Sequence, residues 1–125
     1  MRVLIATAQP NLRLSLEIYL SEQPGVDIIG SASASGSVVA LIQTARPDIV
    51  ITDWELPGPP LPSLLKSMVE TQKPKIIILN NDEDQHLARE KGADVIVPKG
   101  TPPDLLLKTL RQLCQESMKP GEEQP

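Results

Sequence analysis

Asp53 closes an apolar run, Asp48-Ile49-Val50-Ile51-Thr52-Asp53, and Pro57-Gly58 follow four residues later. A carboxylate set where a buried strand breaks into a turn is placed for chemistry. Ligands of open α/β sheets collect in the crevice beyond the carboxyl ends of the strands. There a carboxylate can act as a nucleophile toward a phosphoryl group. Lys99 stands just after another apolar run, Asp94-Val95-Ile96-Val97. A compact ammonium can neutralise such a carboxylate and any oxygens transferred to it. The plainer alternative is an ion pair at a sheet edge, with no chemistry attached. Glu55, two residues beyond Asp53, reads as a solvent-exposed loop acid.

The other reactive residue types are sparse. His86 is the only histidine, set among Asp84, Gln85 and Arg89 on an expected helix surface, with no second ligand at helical spacing. Cys114 is the only cysteine. It cannot form an internal disulfide, and without an activating neighbour it reads as a core or half-buried thiol. The net charge of -4 gives no basic face for nucleic acid. No signal peptide or long apolar span is evident, so a cytoplasmic chain without a membrane segment is expected.

Positioning Asp53 and Lys99 at one edge requires an ordered alternation of elements. With 125 residues, the chain reads as one domain with a core of Ile, Leu, Val and Ala, since Tyr19 and Trp54 are the only aromatics. Residues 2–6 form a near-continuous apolar run, as for a strand covered on both faces. Pro10 opens a helix carrying Leu12, Leu16, Tyr19 and Leu20 on one face, stopped by Pro24-Gly25. Residues 26–30 form the second strand and 31–36 a loop of small residues. Val38, Leu41, Ile42 and Ala45 then define a helix running to Pro47.

After the Asp53 strand, Pro59, Pro60 and Pro62 delay the third helix, with Pro62 acceptable in its first turn. Its apolar face is Leu61, Leu64, Leu65 and Met68. Residues 75–79 form the fourth strand. Asp82-Glu83-Asp84 open a short polar helix, Gly92 ends it, and 94–97 form the fifth strand. Thr101-Pro102-Pro103-Asp104 reads as an N-cap, with Pro at the first helical position and an acid at N3. Leu106, Leu110 and Leu113 carry the core face of this last helix. Leu105, Leu107 and Cys114 are expected nearer its margins, either as an apolar patch able to pair with a second copy of the chain or tucked under the neighbouring helix.

Such repeats imply a doubly wound α/β fold, a five-stranded parallel sheet with helices on both faces. The loops after strands one, three, four and five then bring Thr7, Ala8, Asp53, Asn80 and Lys99 to one edge. The domain is expected over 1–118, with 119–125 a breaker-rich tail or the start of a linker.

From about Arg2 to Cys114 the chain resembles the receiver domains of bacterial response regulators. The residues that carry the resemblance are Asp53 with Leu56-Pro57-Gly58, Gly92-Ala93-Asp94, and Lys99 after the fifth strand. Ala6-Thr7-Ala8-Gln9-Pro10 and Arg46-Pro47-Asp48 resemble receivers that precede a DNA-binding helix-turn-helix. The resemblance implies a flavodoxin-like sheet of strand order 2-1-3-4-5, Asp53 as phospho-acceptor position and Lys99 as the phosphoryl-contacting lysine. It also implies two acids after the first strand to hold magnesium, and this chain has Thr7-Ala8 there. The usual hydroxyl and aromatic switch positions hold Asn80 and Ile96. Pro60 and Leu61 stand where a polar residue and glycine are usual, which implies a stiffer loop.

Magnesium needs near-octahedral oxygen ligation, commonly with one or two carboxylates. Thr7-Ala8 therefore implies weak or absent magnesium and no metal cofactor. The expected function is a non-enzymatic, receiver-like module of two-component (phosphorelay) signalling, a pseudo-receiver that works by protein interaction or dimerisation without phosphorylation. The alternative is a functional receiver phosphorylated on Asp53 by a histidine kinase, controlling an attached or separate DNA-binding output. Partners in either case are proteins, a kinase, an output domain or a second copy. Direct contact of this chain with nucleic acid is not expected. The absence of a Gly-rich phosphate loop in Thr7-Ala8-Gln9-Pro10-Asn11 argues against a cofactor-binding domain.

Overall fold

A computed structural model describes residues 1–53, 56–66, 68, 73–80 and 93–116. Five parallel strands lie in the order β2-β1-β3-β4-β5, the doubly wound arrangement expected. They are β1 (Arg2–Ala6), β2 (Asp27–Ala32), β3 (Ile49–Asp53), β4 (Lys75–Leu79) and β5 (Val95–Val97). Four helices are described: α1 (Pro10–Ser21), α2 (Ser35–Ala45), α3 (Leu61–Lys66) and α4 (Pro103–Glu116). The expected helix from Asp82, with His86 and Gly92, lies outside the described residues, as do Trp54, Glu55 and the 119–125 tail.

Side chains alternate across a strand, so a sheet covered on both faces needs apolar residues at every position. Leu4, Ala6, Val50, Ile76 and Ile78 point into one core with Val38 and Ile42 of α2. Val3, Ile5, Ile49, Ile51, Ile77 and Leu79 point into the other, against Leu16 and Leu20 of α1 and Leu106, Leu110 and Leu113 of α4. Both cores are almost wholly aliphatic, and Tyr19 packs only at the margin of the second.

The amino edge of the sheet is latched by polar groups. The Asp48 carboxylate accepts the Arg2 N–H at 2.7 Å, and the Asp94 carboxylate accepts the Ile76 N–H at 2.7 Å. The Arg2 guanidinium donates to the Ala45 and Arg46 carbonyls, which closes the end of α2. Arg46 is left-handed there, with φ 50°, and its N–H returns to the Ile42 carbonyl. Such a cap satisfies carbonyls that a helix end would leave open.

Three local expectations are corrected. Strand β2 runs to Ala32, where a loop was expected, because Ala6 pairs with Ala32 and the Thr7 N–H donates to the Ala32 carbonyl at 3.0 Å. Small residues are tolerated there because the neighbouring strand supplies the partners. Helix α4 begins at Pro103, so the capping position is Pro102, whose carbonyl accepts the Leu106 N–H, and Thr101 stands one residue outside. The fixed φ of Pro103 suits the first helical position.

Leu107 is not at an exposed margin of α4. It is 8% exposed and belongs to the core of Leu106 and Leu110, whereas Leu105 is 51% exposed. The expected three-residue patch is thus divided, with Cys114 half-buried between the two conditions.

Leu110 is fully buried where α4 meets the sheet. Leu110→Ala should lower unfolding free energy by about 2–5 kcal/mol, the range for large-to-small substitutions in cores. Urea unfolding measures this, and a loss under about 1 kcal/mol would show that α4 packs loosely.

Candidate functional site

Thr7 is the first residue beyond β1 and is fully buried. Every polar group it carries is engaged. Its N–H is held by Ala32, its carbonyl accepts Arg13 Nη1 at 3.2 Å, and its Oγ1 accepts the Gln9 N–H at 3.1 Å. The Thr7 hydroxyl proton is donated to Oδ2 of Asp53. The Gln9 N–H bond closes a hydroxyl-centred turn between β1 and α1, a motif short polar side chains commonly form. Pro10 then enters the helix as its first residue.

Asp53 is the last residue of β3 and pairs with Leu79. It is 3% exposed. Its Oδ1 has Lys99 Nζ at 3.7 Å and no hydrogen-bond partner among the described residues. The Lys99 side chain is 33% exposed, so water screens the pair from one side. The carboxylate thus meets a neutral hydroxyl through one oxygen and an ammonium through the other. A buried charge is tolerable under those conditions, although a direct hydrogen bond to Oδ1 is missing.

The edge gathers some of the expected residues and not others. Asp53 meets Thr7 through a hydrogen bond and Lys99 through an ion pair. Ala8 is exposed and contributes only a methyl group. Asn80 follows β4, and its N–H reaches the Val97 carbonyl at 2.9 Å, so its backbone joins β4 to β5. Ile96 pairs with Ile78 and packs in the core facing α2, 8% exposed. It lies within the sheet rather than at its edge.

Ser35, at the start of α2, was missed. It is fully buried and its hydroxyl reaches the carbonyls of Pro57 and Pro59 in the loop that leaves β3. A serine within a run of small residues gives no sign of carbonyls met more than twenty positions later. The only available signal was the run of prolines after Asp53, which need donors from elsewhere.

Cys114 takes no part in this edge. Burial pushes its thiol pKa up, Asp48 adds to the effect, and the amino terminus and Lys75 oppose it. It belongs to the amino end of the sheet, where Asp48 and Lys75 stand. Among the described residues no helix is long and apolar enough to cross a membrane.

Comparison with known proteins identifies the family of the chain. Residues 3–111 match the response regulator receiver domain family. The nitrate/nitrite response regulator protein NarL of Escherichia coli is 28% identical over 120 residues, covering 93% of this chain and 56% of NarL. A protein-glutamate methylesterase/protein-glutamine glutaminase of Myxococcus xanthus is 26% identical over 94 residues, 75% of this chain but 25% of that protein. The chain spans about half the length of several curated relatives it matches. Among solved structures, the signal receiver domain of NarL from Mycobacterium tuberculosis superposes with a TM-score of 0.81 at 20% identity, covering 91% of this chain and 95% of that one. The response regulator domain of CheB from Thermotoga maritima gives 0.81 at 21% identity, covering 92% and 96%.

Two outcomes follow from the geometry. Thr7→Val keeps the shape but removes the donor to Asp53 and the acceptor for Gln9, and should cost about 1–3 kcal/mol in chemical unfolding. Thr7→Ser, which keeps the hydroxyl, should cost less; equal losses would mean that methyl packing, not the hydrogen bond, is the contribution of Thr7. At pH 8, Cys114 should react with iodoacetamide more slowly than a free cysteine, because less of it is thiolate. Alkylation at the free-cysteine rate, followed by mass, would contradict the burial.

Proposed function

Since the chain belongs to the response regulator receiver domain family, we propose that it is a pseudo-receiver of two-component signalling that acts through protein contacts without phosphorylation. The observation that carries this reading is the Thr7 hydroxyl on Asp53 Oδ2. In a working phosphoryl-transfer site, metal ions neutralise the charge of the transferred group and of the acceptor. Here a neutral side chain holds one oxygen of the acceptor position, and Ala8 offers no ligand.

A magnesium ion would need several oxygens with room for water. Among the described residues no group of three or more His, Cys, Asp or Glu side chains stands ready for a metal ion. Among the described residues, Asp53 Oδ1 is a buried carboxylate oxygen without a hydrogen bond, beside Lys99. These residues do not fit the demand of the ion. Lys99 supplies the compensating charge instead, and Thr7 holds the carboxylate in place. The edge therefore serves as a polar clasp among the ends of β1, β3 and β5.

The second reading, a functional receiver with Asp53 as phospho-acceptor and Lys99 as phosphoryl contact, is favoured by one observation, the Asp53–Lys99 approach of 3.7 Å. In both readings the partners are proteins, a histidine kinase, an output domain or a second copy. The domain is assigned to residues 1–118.

Intact-mass measurement after treatment with acetyl phosphate and magnesium separates the two. The unaltered chain is expected to gain no phosphoryl group, and Trp54 fluorescence should not respond to low-millimolar magnesium. Thr7→Asp with Ala8→Asp should bring magnesium binding. A mass gain in the unaltered chain that Asp53→Asn abolishes would establish the functional receiver in its place.

A further inference from the structure

The loop leaving the Asp53 strand contains Leu56-Pro57-Gly58-Pro59-Pro60. Its prolines have no N–H, so at those positions the loop can be tied down only through its carbonyls. Ser35 supplies the donors. Its N–H reaches the Pro57 carbonyl at 2.9 Å, and its Oγ lies 2.7 Å from the Pro59 carbonyl and 3.2 Å from that of Pro57. The one hydroxyl proton goes to the shorter contact, with Pro57 already served by the N–H. Gly58 completes the fit. It has φ +108°, a conformation open to glycine, and a Cβ there would stand 2.7 Å from Ser35 Oγ.

We propose that Ser35 is a positioning residue of the Asp53 edge, clamping the 56–60 loop to the first turn of α2. The course of the chain beyond the carboxylate is then set before any partner or phosphoryl donor arrives. Ser35 touches neither Asp53 nor Lys99; it acts through the loop. Because the clamp is made in the unmodified chain, its failure leaves the question of phosphorylation untouched, and the reverse also holds.

The experiment uses the full chain. In Ser35→Ala, hydrogen exchange at the amide of residue 35, which donates to the Pro57 carbonyl, should accelerate about tenfold as the loop loosens, as for the loss of one hydrogen bond. Leu4 and Ile77, in the strands, should keep their rates. The fluorescence of Trp54, the only tryptophan, should differ between the parent chain and Ser35→Ala, since it lies in sequence between Asp53 and the clamped loop. Gly58→Ala should destabilise the parent chain, and the same change should cost less in Ser35→Ala, where the opposing Oγ is gone. Unchanged exchange at residue 35, equal acceleration at every amide, or strictly additive effects of the two substitutions would each overturn the clamp.

Discussion

Burial of the sheet on both faces is the constraint from which the rest follows. Strands β1, β3 and β4 have almost no exposed side chain along their length. Alternating residues cannot serve water on one side and core on the other, so polar groups are driven to the strand ends. The two ends then take different tasks. The amino edge holds Asp48 and Asp94, whose carboxylates accept backbone N–H groups and fix neighbouring strands. The carboxyl edge holds Thr7, Asp53 and Lys99, whose side chains meet one another.

That difference separates a structural acid from a candidate reactive one. Asp48 accepts an N–H supplied by the sheet itself and is otherwise exposed to water. Asp53 keeps one buried oxygen without a hydrogen-bond partner among the described residues, facing an ammonium beyond direct bonding distance. Such an oxygen carries a desolvation cost that a well-packed fold ordinarily removes. The chain shares the fold of the receiver family and sets a threonine hydroxyl on Asp53. The fold is shared, and the activity depends on such local residues.

The loop beyond Asp53 shows how backbone chemistry recruits distant residues. Consecutive prolines remove donors and leave carbonyls, and the missing donors come from Ser35 at the start of α2. The positive φ of Gly58 lets the chain turn tightly enough for that meeting. The stiffness implied by the prolines therefore has a tertiary component, because a rigid loop holds a position only when something outside it is attached.

The alternation of apolar runs and amphipathic stretches was sufficient to read the order of elements, the two-sided sheet and the edge at which Asp53 and Lys99 stand. Those features depend on periodicity, which is local and visible along the chain. Strand order within the sheet came from resemblance to the receiver family, since periodicity says nothing of which strands are neighbours. The burial of Leu107, the start of α4 at Pro103 and the extension of β2 to Ala32 were decided by packing partners remote in sequence. So were the Thr7 hydroxyl on Asp53 and the Ser35 hydroxyl on the proline loop. A side chain's type states what it can donate or accept, and only the folded chain states what stands within 3 Å of it.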